Sequence, residues 1–132
     1  MLKLIITAAL IASTMSSASA TDEEWMYVGT TETNPPSYTY RTYVKPSSVW
    51  HGPHWSRMEV RDVHVRHPKY DYVWAKWDVN CNKAEMRRIP GLRHMKDGTS
   101  ERRPVLDWFT PSPTGVRRDM FAYICGLRAV AL

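Results

Sequence analysis

The sequence predicts an α+β fold: a small, mainly antiparallel β-sheet with one C-terminal amphipathic helix, held by one disulfide. Three observations carry this. Tyr70 to Cys81 places Val73, Ala75, Trp77, Val79 and Cys81 on one parity and Tyr70, Tyr72, Trp74, Lys76, Asp78 and Asn80 on the other, the period-two signature of a half-buried strand. Val116, Met120, Phe121 and Ile124 recur at i, i+4, i+5 and i+8, a helical spacing. The two cysteines, Cys81 and Cys125, fall one on each of these segments.

The chain begins with a segment to be set aside. Lys3, the apolar run Leu4 to Ala12 and the small residues Ala18-Ser19-Ala20 read as a signal peptide, residues 1–20, cleaved after Ala20. A membrane anchor needs about 20 consecutive apolar residues, roughly twice this run, so no transmembrane segment is expected. Export places the remainder in an oxidising compartment, periplasmic or beyond, where Cys81 and Cys125 pair. A redox catalyst would instead hold its cysteines as C-x-x-C at one turn. Residues 21–132 then form a single domain, and the chain as a whole is 43% hydrophobic and 23% charged, an ordinary composition that excludes a disordered chain.

The elements follow in order. Trp25 to Thr30 is a first strand, and Asn34-Pro35-Pro36-Ser37 a turn into Tyr38 to Val44, whose Tyr and Thr residues favour extended backbone. Lys45-Pro46-Ser47-Ser48 ends that strand. Trp55 to Val65 carries Met58 and Val60 on one parity and Val63 and Val65 on the other, so a bulge near Arg61 or Asp62 is expected to reset the facing. Ala84 to Met95 is a strand either kinked at Pro90-Gly91 or broken there into a hairpin, and Asp97-Gly98 is a tight turn. A polar stretch then leads to the helix, with Ser112 as its cap, Pro113 at its first position and Gly126 at its end.

Chemistry is sparse. The phosphate-loop, dinucleotide-binding and common hydrolase motifs are absent, and no carboxylate pair has a spacing that forces an acid/base dyad. No catalytic residue and no cofactor is expected. H-x-x-H occurs as His51-Gly52-Pro53-His54 and as His64-Val65-Arg66-His67, with His94 apart. Two ligands do not make a zinc site, so metal binding is the weakest of the functional readings.

Aromatic and basic residues stand out. The chain has 6 Trp and 7 Tyr, more rings than a core of this size needs. Tyr70, Tyr72 and Trp74 share the parity opposite the disulfide, where they either pack beneath a covering segment or form a surface contact strip. Arg87, Arg88, Arg93, Lys96, Arg102 and Arg103 concentrate the positive charge of a chain whose formal net charge is +5. A solvated sheet edge explains that cluster; if it acts, its partners are acidic, and export argues against nucleic acid. The candidate protein-binding set is therefore Tyr70, Tyr72 and Trp74 for contact, with Arg87, Arg88 and Arg93 for electrostatic steering.

One ordered set of segments resembles a known family. Tyr43-Val44-Lys45-Pro46-Ser47-Ser48-Val49 is similar to the Y-V-D-P-S-S-I element of the surface-adhesin protein E family of secreted bacterial domains. Asp78-Val79-Asn80-Cys81-Asn82-Lys83 with Met86-Arg87-Arg88 resembles its D-C-K-N-R-R-Y-R segment, Trp108 with Pro111-Ser112-Pro113 its W-x-x-V-x-P-G-S, and Phe121 to Cys125 its closing F-V-C. Lys45 stands where the family has an acidic residue, and no lipobox Cys lies near Ala20. The resemblance implies the same sheet, helix and Cys81–Cys125 bridge. It also implies adhesion to a protein partner, such as an extracellular matrix protein. The alternative function is that of a periplasmic accessory protein binding another envelope component.

Overall fold

The computed structural model describes residues 24–131. The expected signal peptide, residues 1–20, lies outside the described residues. The fold is mostly antiparallel β-sheet with one C-terminal α-helix and a Cys81–Cys125 disulfide, an α+β architecture. The strands are β1 (Met26–Thr31), β2 (Tyr40–Val44), β3 (Trp50–His51), β4 (Ser56–His64), β5 (Tyr70–Asn80), β6 (Glu85–Arg88), β7 (Gly91–Met95), β8 (Ser100–Arg103) and β9 (Leu106–Phe109), followed by the helix α1 (Val116–Ala131). They form one sheet in the order β1-β2-β4-β5-β6-β9, with β3 beside β4 and the β7–β8 hairpin beside the first half of β5.

The long strand β5 is the axis of the sheet. Its 11 residues pair with β4 on one side, and on the other side first with β7 and then with β6. Between β6 and β7 the chain steps sideways at Ile89-Pro90 without leaving β5, since Ile89 N–H still donates to Lys76 O at 2.9 Å. The segment from Ala84 to Met95 is thus a kinked strand. Pro90 has no N–H to give, and Gly91 is needed because a Cβ there would lie 2.5 Å from Trp74 O and 2.7 Å from Ala75 Cβ.

One face of the sheet builds the core. Val44, Met58, Val60, Ala75, Trp77, Val79 and Met86 pack there against Val116, Met120, Phe121 and Ile124 of α1, the residues whose spacing predicts the helix. The disulfide joins the end of β5 to α1 with Cα atoms 5.7 Å apart. Arg128 pins the last turns, its Nη1 donating to Gly52 O at 2.7 Å and to Ser56 Oγ at 3.2 Å.

Four sequence expectations are corrected. The bulge near Arg61 is absent: β4 pairs without a register shift from Ser56↔Val79 to Val63↔Tyr72. Its buried parity continues through Asp62, a charged residue that the core accepts because Thr42 and Arg117 satisfy it. Irregularities fall instead between Tyr27 and Gly29, between Tyr70 and Tyr72 and, where β6 meets β9, between Met86 and Arg88. The helix does not start at Ser112-Pro113. Gly115, at φ +101°, separates that stretch from Val116, and Gly115 O accepts the first helical bond from Asp119 N–H at 3.1 Å. Nor does Gly126 end the helix, because the disulfide at Cys125 and the Arg128 anchor hold helical backbone on both sides of it. Finally, β8 and β9 occupy the polar stretch that shows no strand pattern. Their backbones pair with β7 and β6, although β8 is the sequence Ser-Glu-Arg-Arg.

Candidate functional site

Because α1 lies on one face, alternate residues of the strands point to the opposite face, among them Tyr43, Arg61, Tyr72, Trp74 and Arg87. Tyr72 on β5 lies directly opposite His94 on β7, and Arg61 on β4, whose own register partner is Trp74, reaches Tyr72 diagonally. The Tyr72 ring stacks on His94 with centroids 4.3 Å apart, and the Arg61 guanidinium stands 4.1 Å from its centroid. A cation over a ring is attracted by the ring quadrupole, and the pairing holds both side chains flat against the sheet. Tyr27 and Tyr43 continue this row toward the β1 edge, 5.6 Å apart.

At the other end of β5 a second cluster forms around Asp78, which is fully buried. Asp78 accepts from Arg57 Nε at 2.7 Å and Nη2 at 3.2 Å, and from Arg87 Nε at 2.9 Å. The hydrogen bond to Asp78 is the main reason the Arg57 pKa is raised. Two guanidinium groups on one carboxylate leave a positive surplus. Arg87 also lies 4.7 Å from the Trp108 ring and 5.6 Å from Trp55, whose rings meet edge to face at 6.3 Å. A rigid Trp–Arg–Trp unit thus stands on a carboxylate anchor.

Between the clusters, at the kink where β6 gives way to β7, lies a shallow depression of about 300 Å³ lined by Trp74, Lys76, Ile89, Pro90, Gly91 and Leu92. Trp74 and Leu92, at its rim, are 39% and 40% exposed. A larger depression of about 410 Å³ sits near the β1–β2 edge, but threonines, Pro36, Val65 and the charged Glu32, Arg41 and Arg66 line it and no aromatic ring does. The Trp74 depression has the apolar floor and aromatic rim that receive an anchoring side chain.

The residues expected to act together divide between the two faces. Tyr72, Trp74 and Arg87 share the open face; Tyr70, Arg88 and Arg93 do not. The register shift before Tyr72 turns Tyr70 toward the helix side, where its ring stacks on His67 at 3.8 Å beneath the Arg93 guanidinium at 4.0 Å. The three-residue strip is therefore a pair. Arg88 follows Met86 by two positions and pairs with Trp77, while Arg93 pairs with Val73, so both belong to the core side. Trp55, Trp108, Arg61 and His94 complete the open face and escaped sequence reasoning. A clue existed: Trp55 immediately precedes the buried parity of β4.

The histidines are structural or dispersed. His67 is 6% exposed, and its Nδ1 accepts from the backbone N–H of Lys69 at 3.0 Å and of Tyr70 at 2.9 Å. Burial, then the charges of Arg93, Lys96 and Lys69, lower its pKa. His51 meets Ser56 Oγ at 2.6 Å. Among the described residues no three His, Cys, Asp or Glu side chains converge as a metal site would require, and no helix is long and apolar enough to cross a membrane.

Comparison of the chain with family models, with curated proteins and with solved structures yields no match.

Proposed function

We propose that this chain is an exported recognition domain, periplasmic or at the cell surface, that binds an acidic segment of a protein partner through the open face of its sheet. The observation that carries the reading is the apolar depression rimmed by Trp74 and Leu92, set between two aromatic–guanidinium clusters with surplus positive charge. Tyr, Trp and Arg dominate binding hot spots; the rings bury large area at low entropic cost, and here Arg61 and Arg87 are already held against rings or a carboxylate before any partner arrives.

The similarity of several segments to surface-adhesin protein E supports the same function class. The Pro46–Ser48 element of that similarity is a short 3₁₀ turn closed by Ser48, whose hydroxyl donates to Lys45 O at 2.6 Å and accepts from Glu59 N–H at 2.8 Å. It is framework, as a motif shared across different partners would be.

Capture with the purified domain as bait, against envelope extract in one arm and matrix proteins in the other, tests the reading. A partner retained by the wild type and lost on W74A replacement supports it; a matrix partner indicates adhesion and an envelope partner the accessory role. No W74A-sensitive partner in either arm overturns it.

A further inference from the structure

The helix-side face holds a second charged assembly that protein recognition by the open face does not use. Three strands bring it together. Arg88 on β6 pairs with Trp77, Arg93 on β7 pairs with Val73, and Arg103 on β8 pairs with Gly91, so the three side chains leave the sheet on one side beside the start of α1. Arg117, in the first turn of α1, joins them from above.

Arg117 is satisfied: its Nη2 donates to Asp62 Oδ2 at 2.8 Å. The other three are not. Nε of Arg88, Arg93 and Arg103 are each buried without a hydrogen-bond partner among the described residues, and so is Nδ1 of His64. Arg88 otherwise gives only one bond, from Nη2 to Pro104 O at 3.2 Å, and Arg93 has one loose carboxylate, Glu101, at 3.6 Å. Four guanidinium groups face two carboxylates, which leaves two positive charges unmatched. Burial, then the charges of Arg103 and Arg117, push the Arg88 pKa down, so the groups feel one another across the gap.

Buried donors without acceptors are costly, and like charges held together more so, unless an anion completes the set. A monovalent carboxylate would neutralise half of the surplus. A phosphate group carries about −1.5 to −2 charge near neutral pH, enough to match the surplus, and offers three acceptor oxygens. We propose that Arg88, Arg93 and Arg103 form a binding site for a phosphate group, free or at the end of a larger molecule. It lies on the face opposite the protein-binding surface and stands or falls without it.

The test is calorimetric titration of the purified domain with inorganic phosphate at low chloride, with acetate as the monovalent comparator. R103Q keeps the side-chain stem, and the Arg103 side chain makes no hydrogen bond or ion pair among the described residues, so this variant is expected to fold with an unchanged or raised melting temperature. R88Q serves as the second variant. Saturable one-to-one phosphate binding, weakened at least tenfold by R103Q and by R88Q and much weaker for acetate, supports the site. Absence of saturable binding, equal binding of acetate, or phosphate affinity unchanged by both variants overturns it. A second arm compares sedimentation with vesicles carrying a phosphomonoester-headed lipid and with phosphatidylcholine vesicles. R103Q-sensitive binding only to the first makes the source a lipid headgroup; no vesicle binding beside phosphate binding makes it a soluble phosphate.

Discussion

Arg117 in the first turn of α1 and Asp62 near the end of β4 form an ion pair, Nη2 to Oδ2 at 2.8 Å, that sets where the helix rests on the sheet. Thr42 donates its hydroxyl to the other carboxylate oxygen at 2.6 Å, and the Arg117 guanidinium lies 4.5 Å from the Trp77 ring. Burial works against the charge on Arg117, but the charge and hydrogen bond of Asp62, aided by Tyr40, outweigh it and raise the pKa. Taking a guanidinium out of water is repaid only by such a complete set of partners.

Replacing Asp62 by Ala should therefore lower stability by about 3 kcal/mol, because the buried Thr42 and the partly buried Arg117 both lose their acceptor. Urea denaturation measures the loss. The double variant D62A/R117M should recover a large part of it, since an apolar pair carries no desolvation penalty; a double variant as unstable as D62A would show that the ion pair is not the cause.

Asp62 also marks the limit of what the sequence discloses. The strand Tyr70–Asn80, the helical spacing of Val116, Met120, Phe121 and Ile124, and the cysteine pairing are legible because each is a periodic or compartment-level signal. The alternation through Asp62 is not, because a buried carboxylate looks polar and therefore exposed until its partner, 55 positions away, is known. The strand Ser100–Arg103 is hidden for a related reason: its backbone pairs with β7 whatever its side chains are. For the open face, parity along β5 puts Tyr72 and Trp74 together, but a one-residue shift takes Tyr70 to the other side. Trp55 and Trp108 meet Arg87 from different strands and a preceding loop, which no local pattern records.

Removing the disulfide should cost more than removing the ion pair. The cysteines are separated by 44 positions, and closing such a loop restricts the unfolded chain by about 4 kcal/mol in the chain-entropy model. C81S/C125S should accordingly melt well below the wild type by circular dichroism. A variant of unchanged stability would mean that α1 docks through its apolar face alone.

Acidification should weaken the fold. His67 is held neutral, with Nδ1 accepting two backbone N–H groups, and its pKa lies below the ordinary value near 6.5 that it regains on unfolding. The unfolded chain thus binds the proton more readily, so this contribution is complete above pH about 6.5 and is lost as the pH falls through the folded value. His64 acts with the same sign, its pKa lowered by burial first and then by His67 and Arg93. Denaturation midpoints should drop between pH 7.5 and 5, and the drop should be smaller in H67Q, which has no imidazole to protonate. An equal pH dependence in H67Q would assign the effect to other groups.

The most direct measurement is the affinity of the captured partner for three forms of the domain: wild type, the open-face variant W74A/W108A, and V130S on the exposed surface of α1, where Val130 is 89% exposed. Recognition by the open face predicts at least a hundredfold weaker binding for W74A/W108A, with its fold retained by circular dichroism, and no change for V130S. Binding undiminished in W74A/W108A, or lost in V130S alone, would contradict it.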